Sequence, residues 1–277
     1  MAEDLRTGGT ATYPVLYKDA KMHLMGLGEW SAAAEAEGYN ENYINTEVVP
    51  AVFSAIELEL NTMIRARRIV STATPDTDPY VADSPYDYIK IPPNQLVKAH
   101  GFTYFGIYVP HAPILEVHRF RIIANAQVPV MTIPSEWIET EPEAGLIYLQ
   151  PATVAANAGA LVTGQMVLSL TTLGRDYLPH GIEVIYDAGL PDGWENGAKW
   201  ASLKRYVSKK IALEILHDLT EVFDPGRQSV SGSAMGVNTT INYERFVRRR
   251  GELEEQCDKF ASDFIQQTQG IRVGGIY

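Results

Sequence analysis

A single cysteine, Cys257, stands in a chain of 277 residues. No disulfide can form within the chain, and the disulfide-stapled secreted scaffolds are excluded. Positive charge is scarce as well: 23 Lys and Arg face 34 Asp and Glu, for a formal net charge of −11. A surface of that sign repels phosphate and gains nothing from counterion release, which argues against a protein that grips nucleic acid. DNA is left as a cargo that slides past without sticking. Long apolar runs are missing too. The charge-free stretch 144–174 is interrupted by Gln150, Pro151, Asn157, Gly159, Gly164 and Gln165. Its second half places Val162, Met166, Leu168 and Leu170 opposite Thr163, Gln165, Ser169 and Thr171, the alternation of a half-buried strand and not of a membrane helix. The sequence opens Met-Ala-Glu-Asp, without the basic and apolar segments of a signal peptide, so export by that route is not expected. No internal repeat is present.

The motifs that mark enzymes are also absent: no Walker loop, no Gly-x-Gly-x-x-Gly, no His-Glu-x-x-His, no Gly-x-Ser-x-Gly. In Gly232-Ser233-Ala234-Met235-Gly236 the serine is displaced by one position, and the run reads as flexible loop. Asp76, Asp78, Asp83 and Asp87 lack the glycine and terminal glutamate of a calcium loop and read as a solvated acidic turn. The six histidines, His23, His100, His111, His118, His180 and His217, have no ligand spacing. Cys257 falls among Leu253, Phe260 and Phe264 on an apolar stripe, where a cysteine packs as a small hydrophobe. Arg245, Arg248, Arg249 and Arg250 form the one basic cluster, followed by acids at helical spacing such as Glu254. Neither a cofactor nor a metal is expected, and an enzyme is not expected either. Glu136, Glu139 and Glu141 offer no acid and base at a defined separation. A binding module for carbohydrate or protein, using Trp137, Tyr104 and Tyr108 as stacking platforms, is the alternative from another class.

Periodicity divides the chain. Residues 1–45 are punctuated by glycine and read as an arm ordered by partners, with one short helix at 30–37. A long helix follows over 46–70, capped by Asn45 or Thr46, with Pro50 in its first turn and Val49, Val52, Phe53, Ile56, Leu60, Met63 and Ile64 on one face. Arg65, Arg67 and Arg68 fall on the other. Strand signals run over 102–109, 114–123, 128–133, 145–150, 161–171 and 181–187. Helical period returns at 200–219 and 243–267, separated by a Gly/Ser-rich loop at 224–238. The expected fold is α+β: a bundle of about three long helices (46–93 and 188–269) with an inserted antiparallel β domain (94–187), an N-terminal arm (1–45) and a C-terminal tail (270–277).

Three stretches together carry a resemblance: Pro113-Ile114-Leu115-Glu116-Val117; Pro134-Ser135-Glu136-Trp137-Ile138 leading to Gly145-Leu146-Ile147-Tyr148-Leu149; and Ile182 through Pro191, with Tyr186-Asp187-Ala188-Gly189 at its centre. They resemble the head–tail connector (adaptor) proteins of tailed bacteriophages over 46–219. The resemblance implies a virion protein, assembled in the bacterial host cytoplasm, that forms a ring of about twelve copies under the portal and continues the DNA channel into the tail. Its partners would be other copies of itself, the portal, and a tail or head-closure protein, with DNA passing unbound and no membrane involved. Another neck protein, such as a head-closure factor, is the near alternative. On this reading Phe260, Phe264, Ile271, Arg272, Val273, Ile276 and Tyr277 dock on the portal, Arg248, Arg249 and Arg250 meet the neighbouring subunit, and an acidic channel wall keeps the genome mobile.

Overall fold

The computed structural model describes residues 13–24, 40–71, 78–91, 97–98, 106–124, 128–149, 181–222, 229–234 and 237–272. Along the chain the helices are α1 (Tyr17–Ala20), α2 (Glu41–Tyr43), α3 (Val49–Glu59), α4 (Pro79–Ala82), α5 (Ala201–Val222) and α6 (Tyr243–Arg272). The strands are β1 (Arg67–Val70), β2 (Tyr88–Lys90), β3 (Val97–Lys98), β4 (Gly106–Tyr108), β5 (Ile114–Ala124), β6 (Val128–Ile133), β7 (Ile138–Glu141), β8 (Leu146–Leu149), β9 (Ile182–Ala188), β10 (Ser229–Ala234) and β11 (Val237–Asn242). Two compact units result. One is built on Thr62–Asp192, and the other on Ala11–Asn61 and Gly193–Gln266. The cut falls at Asn61 and not near residue 93.

This is a mixed α/β protein, and the expected bundle of long helices is not its architecture. The expected helix over 46–70 stops at Glu59, because Leu60 caps it and Asn61 takes the left-handed conformation (φ 46°) that asparagine tolerates best after glycine. Met63 and Ile64 continue the helical spacing by coincidence. Met63 donates its amide to the Ala112 carbonyl at 2.8 Å, and Arg67–Val70 becomes strand. The N-terminal cap also lies earlier than expected. Asn40 accepts from the Tyr43 amide at 2.9 Å, and a π-helical turn, Ile44–Val48, joins α2 to α3. Pro50 accounts for that turn: it has no N–H to give, and a wider turn before it relieves the clash of its ring with the preceding carbonyls.

In the Thr62–Asp192 unit a five-stranded sheet has the order β2-β1-β9-β5-β6, antiparallel except for the β1–β2 pair. A four-stranded sheet has the order β3-β4-β8-β7. One apolar core joins them, with Ile69, Phe120, Val184 and Tyr186 from the first and Ile107, Ile147 and Leu149 from the second. Strand β9 is buried along its whole length. Its alternate residues Ile182, Val184, Tyr186 and Ala188 enter that core, while Glu183, Ile185 and Asp187 belong to the other face of the sheet.

The other unit packs α1, α3, α5 and α6. Positions 13–24 and 40–45, read from sequence as part of an extended arm, are integral to it: Val15, Ala20, Leu24 and Ile44 are fully buried. The Tyr17 amide donates to Asn45 Oδ1 at 3.0 Å, and Tyr13 lies 5.1 Å from the Phe53 ring. Lys210 of α5 reaches Glu59 of α3 at 2.8 Å. On α6, Leu253, Cys257 and Ala261 recur every four residues and are buried. The presumed loop at 224–238 contains instead the first strand of a hairpin, with Val230 opposite Ile241, Ser231 opposite Thr240, Ser233 opposite Asn238 and Ala234 opposite Val237. Among the described residues no helix is long and apolar enough to cross a membrane. The expected helix at 30–37 and strand at 161–171 lie outside the described residues.

Candidate functional site

The densest polar constellation sits on the outer face of the five-stranded sheet. Alternation along β1, β5 and β9 brings Arg68, Arg119, Glu183 and Asp187 to that face, and the Asp78–Ala82 segment covers it. Arg68 binds Asp187 through both carboxylate oxygens, Nε to Oδ1 at 2.6 Å and Nη2 to Oδ2 at 2.9 Å, the fork-to-fork geometry in which Arg pairs best. Its remaining Nη1 donates to the Tyr80 carbonyl. His118 Nε2 lies 2.8 Å from Asp187 Oδ2, and a proton on that nitrogen makes the contact a hydrogen bond to the carboxylate. Beside this triad Arg119 contacts Glu183 at 2.8 Å and Asp78 through Nη2, and Arg121 approaches Glu183 at 3.6 Å. Tyr80 lies over the Arg119 guanidinium at 5.5 Å.

Arg68 and Arg119 are each 5% exposed, so the centre of the network is held away from water. Burial by itself would raise the Asp187 carboxyl. Hydrogen bonds from His118 and Arg68, with the Arg68 charge, outweigh it and hold the group below its ordinary range. Asp78 is the hinge between the network and its cover. One oxygen accepts from the Tyr80 amide at 3.1 Å to cap α4, while the other takes Arg119. The expected solvated acidic turn is thereby corrected: Asp83 is exposed, Asp78 is buried and ion-paired, and Asp76 lies outside the described residues.

A His–Asp pair invites comparison with a catalytic triad. The free ring nitrogen of His118, Nδ1, faces the exposed Glu116 carboxylate at 3.9 Å and not a hydroxyl or thiol. Each charge in the network is matched by a partner in the same sheet or in the covering segment. What this arrangement does chemically is fasten residues 78–82 to the sheet. Among the described residues no group of three His, Cys, Asp or Glu side chains is placed to hold a metal ion.

The residues singled out from sequence are dispersed. Arg248 and Arg250 pair along α6 with Glu252 and Glu254 at 3.2 and 2.8 Å. Arg249 reaches Glu252 at 3.2 Å and also donates from Nε to the His23 carbonyl at 3.0 Å. The His23 ring in turn meets Ser208 Oγ at 3.0 Å, and its pKa is lowered by burial and by Lys209, Arg249 and Arg205. Phe260 stacks on Tyr206 at 4.6 Å and on Phe264 at 5.8 Å, so it already has an intrachain role. Ile271 and Arg272 end α6, and Val273, Ile276 and Tyr277 lie outside the described residues. Trp137 is 6% exposed within the sheet core, which removes it as a stacking platform, and Tyr108 packs on Ala144 and Leu146.

Cys257 is fully buried on α6, and burial pushes its thiol up to about 11. At pH 8 the folded chain is expected to react with a maleimide at least ~100-fold more slowly than the urea-unfolded chain, since only the thiolate attacks. Labelling rates followed by mass spectrometry check this, and equal rates would refute the packing role.

No protein-family model matches the sequence, and no curated protein matches it.

Proposed function

We propose that this protein is a ring-forming structural subunit of the head–tail junction of a tailed bacteriophage, seated under the portal. The observation that carries the reading is how residues 182–191 are used. They form the fully buried strand β9, end it at Gly189, and hand the chain on to α5, which packs back on α3 through Lys210 and Glu59. Helix, β unit, glycine-ended strand and returning helix is the order that the resemblance to connector proteins implies. The excess of acidic residues supports a channel that lets DNA slide. Assembly takes place in the host cytoplasm and the product resides in the virion.

Native mass spectrometry of the purified chain, alone and mixed with its candidate portal, tests the proposal. A ring of about twelve copies on the portal is the expected result, since one patch complementary to a different patch on the next copy closes a ring. A chain that remains monomeric and ignores the portal overturns it. Truncation after Gly270, in the same assay, is expected to abolish portal binding while leaving the fold intact.

A further inference from the structure

We propose that residues 78–84 form a latch that leaves the five-stranded sheet as one unit while the sheet stays folded, and that the Asp78 carboxylate seated on Arg119 is what holds it down. The backbone points that way. Among the described residues, Val81 and Ala82 donate to the Asp78 carbonyl at 3.0 Å, Asp83 to Pro79 at 3.1 Å and Ser84 to Val81 at 3.3 Å, so the backbone hydrogen bonds of the segment close on themselves. Bonding to β1 begins only at Asp87, whose carbonyl accepts from the Arg68 amide at 2.9 Å. Pro79, Tyr80, Ala82 and Asp83 are exposed, and within the segment Asp78 alone is buried.

Side chains supply the remaining hold. Asp78 pairs with Arg119, Arg68 donates to the Tyr80 carbonyl, the Tyr80 ring lies over Arg119, and Val81 packs on Val70, Tyr88 and Ile185. All but the last involve a guanidinium. Opening returns both members of each such contact to water together, and the hydration regained offsets most of the attraction lost. Deleting one partner is a different process, because it strands the other in the closed state. The apolar contact of half-buried Val81 is then the main net gain of closing. A helix of four residues does not persist alone in water, so α4 melts as it leaves. The sheet does not need it: Arg68 keeps Asp187, Arg119 keeps Glu183, and β1, β9 and β5 stay paired. The open form is therefore a sub-global state with its own free energy, well below that of unfolding. In it Arg68, His118 and Arg119 meet water.

Residue-resolved amide hydrogen exchange of the full chain, followed by NMR, tests the latch. The amides of Val81, Ala82, Asp83 and Ser84 are expected to share one protection factor, at least ~100-fold below those of Val184, Ile185 and Tyr186 in β9. Asp78→Asn keeps the helix cap, since its side-chain oxygen still accepts from the Tyr80 amide, and removes the charge. It is expected to lower the protection of 81–84 by at least about tenfold more, with a smaller change in β9. Asp83→Asn, which neutralises an exposed carboxylate of the same segment, should leave the pattern as it is. Wild-type protection over 81–84 equal to that of β9 would make the segment part of one cooperative fold and overturn the latch. So would a loss in Asp78→Asn that 81–84 and β9 share equally. Unaltered exchange over 81–84 in Asp78→Asn overturns Asp78 as the holding group.

Discussion

Gly189→Ala is expected to destabilise the protein by at least about 3 kcal/mol, a loss that lowers the thermal midpoint by roughly 5 °C or more. Two costs combine. The backbone at Gly189 has φ +138°, a region that side-chain-bearing residues rarely enter. An added Cβ would also stand 2.6 Å from both the Ala66 Cα and the Arg65 carbonyl oxygen. Those are backbone atoms, which cannot rotate aside as a flexible side chain would, so the strand end itself must move. It is tied in place from two directions: the Gly189 amide donates to the Pro113 carbonyl at 2.9 Å and the Leu190 amide to the Ile64 carbonyl at 3.2 Å. Gly251→Ala serves as the control. That glycine lies within α6 with nothing within 4 Å of an added Cβ, so the exchange should be neutral or stabilising by about 0.5–1 kcal/mol. Thermal melts of the two variants decide the matter, and equal midpoints would refute the close approach at Gly189.

The second large effect belongs to Asp187. Removing one member of a buried ion pair leaves the other charge without compensation, so Asp187→Ala is expected to cost about 3–5 kcal/mol, measured by urea unfolding. The same residue predicts a pH dependence. Because the folded carboxyl titrates below its unfolded value, the folded state holds fewer protons between the two, and stability rises with pH across that interval. The contribution of Asp187 is therefore fully present above about pH 4, the ordinary carboxylate range, and is lost as pH falls through the folded value. Urea midpoints of the wild type should fall below pH 4 more steeply than those of Asp187→Asn, which keeps the shape and has no proton to gain. Parallel slopes would place the acid sensitivity elsewhere.

Much of the β unit was legible because alternation is a local signal. Strands over 114–123, 128–133 and 181–187 were read within a residue or two of where they lie, and so were the cores of α5 and α6. What could not be read depends on distant partners. Arg67 and Arg68 looked like the basic side of a helix, yet Arg68 is buried because Asp187, 119 positions later, neutralises it. Nothing near Arg68 announces that pairing. Asp78 was misread for the same reason, its partner Arg119 lying 41 positions away. The hairpin is a different failure. No Asn-Gly or Asp-Gly pair stands between the two strands to mark a two-residue turn, and the serine and glycine content of 224–238 is that of a loop. Helix α3 was overextended because Met63 and Ile64 fit a 3.6 period by chance, and a single Asn decides where the helix stops.

The hydrogen bond from Leu190 to Ile64 has a further meaning for how this chain can change. It stitches together the two ends of the Thr62–Asp192 segment, each within two residues of its boundary. An insert whose ends meet behaves as a cassette: it leaves the flanking sequence as adjacent termini that a short connector can bridge.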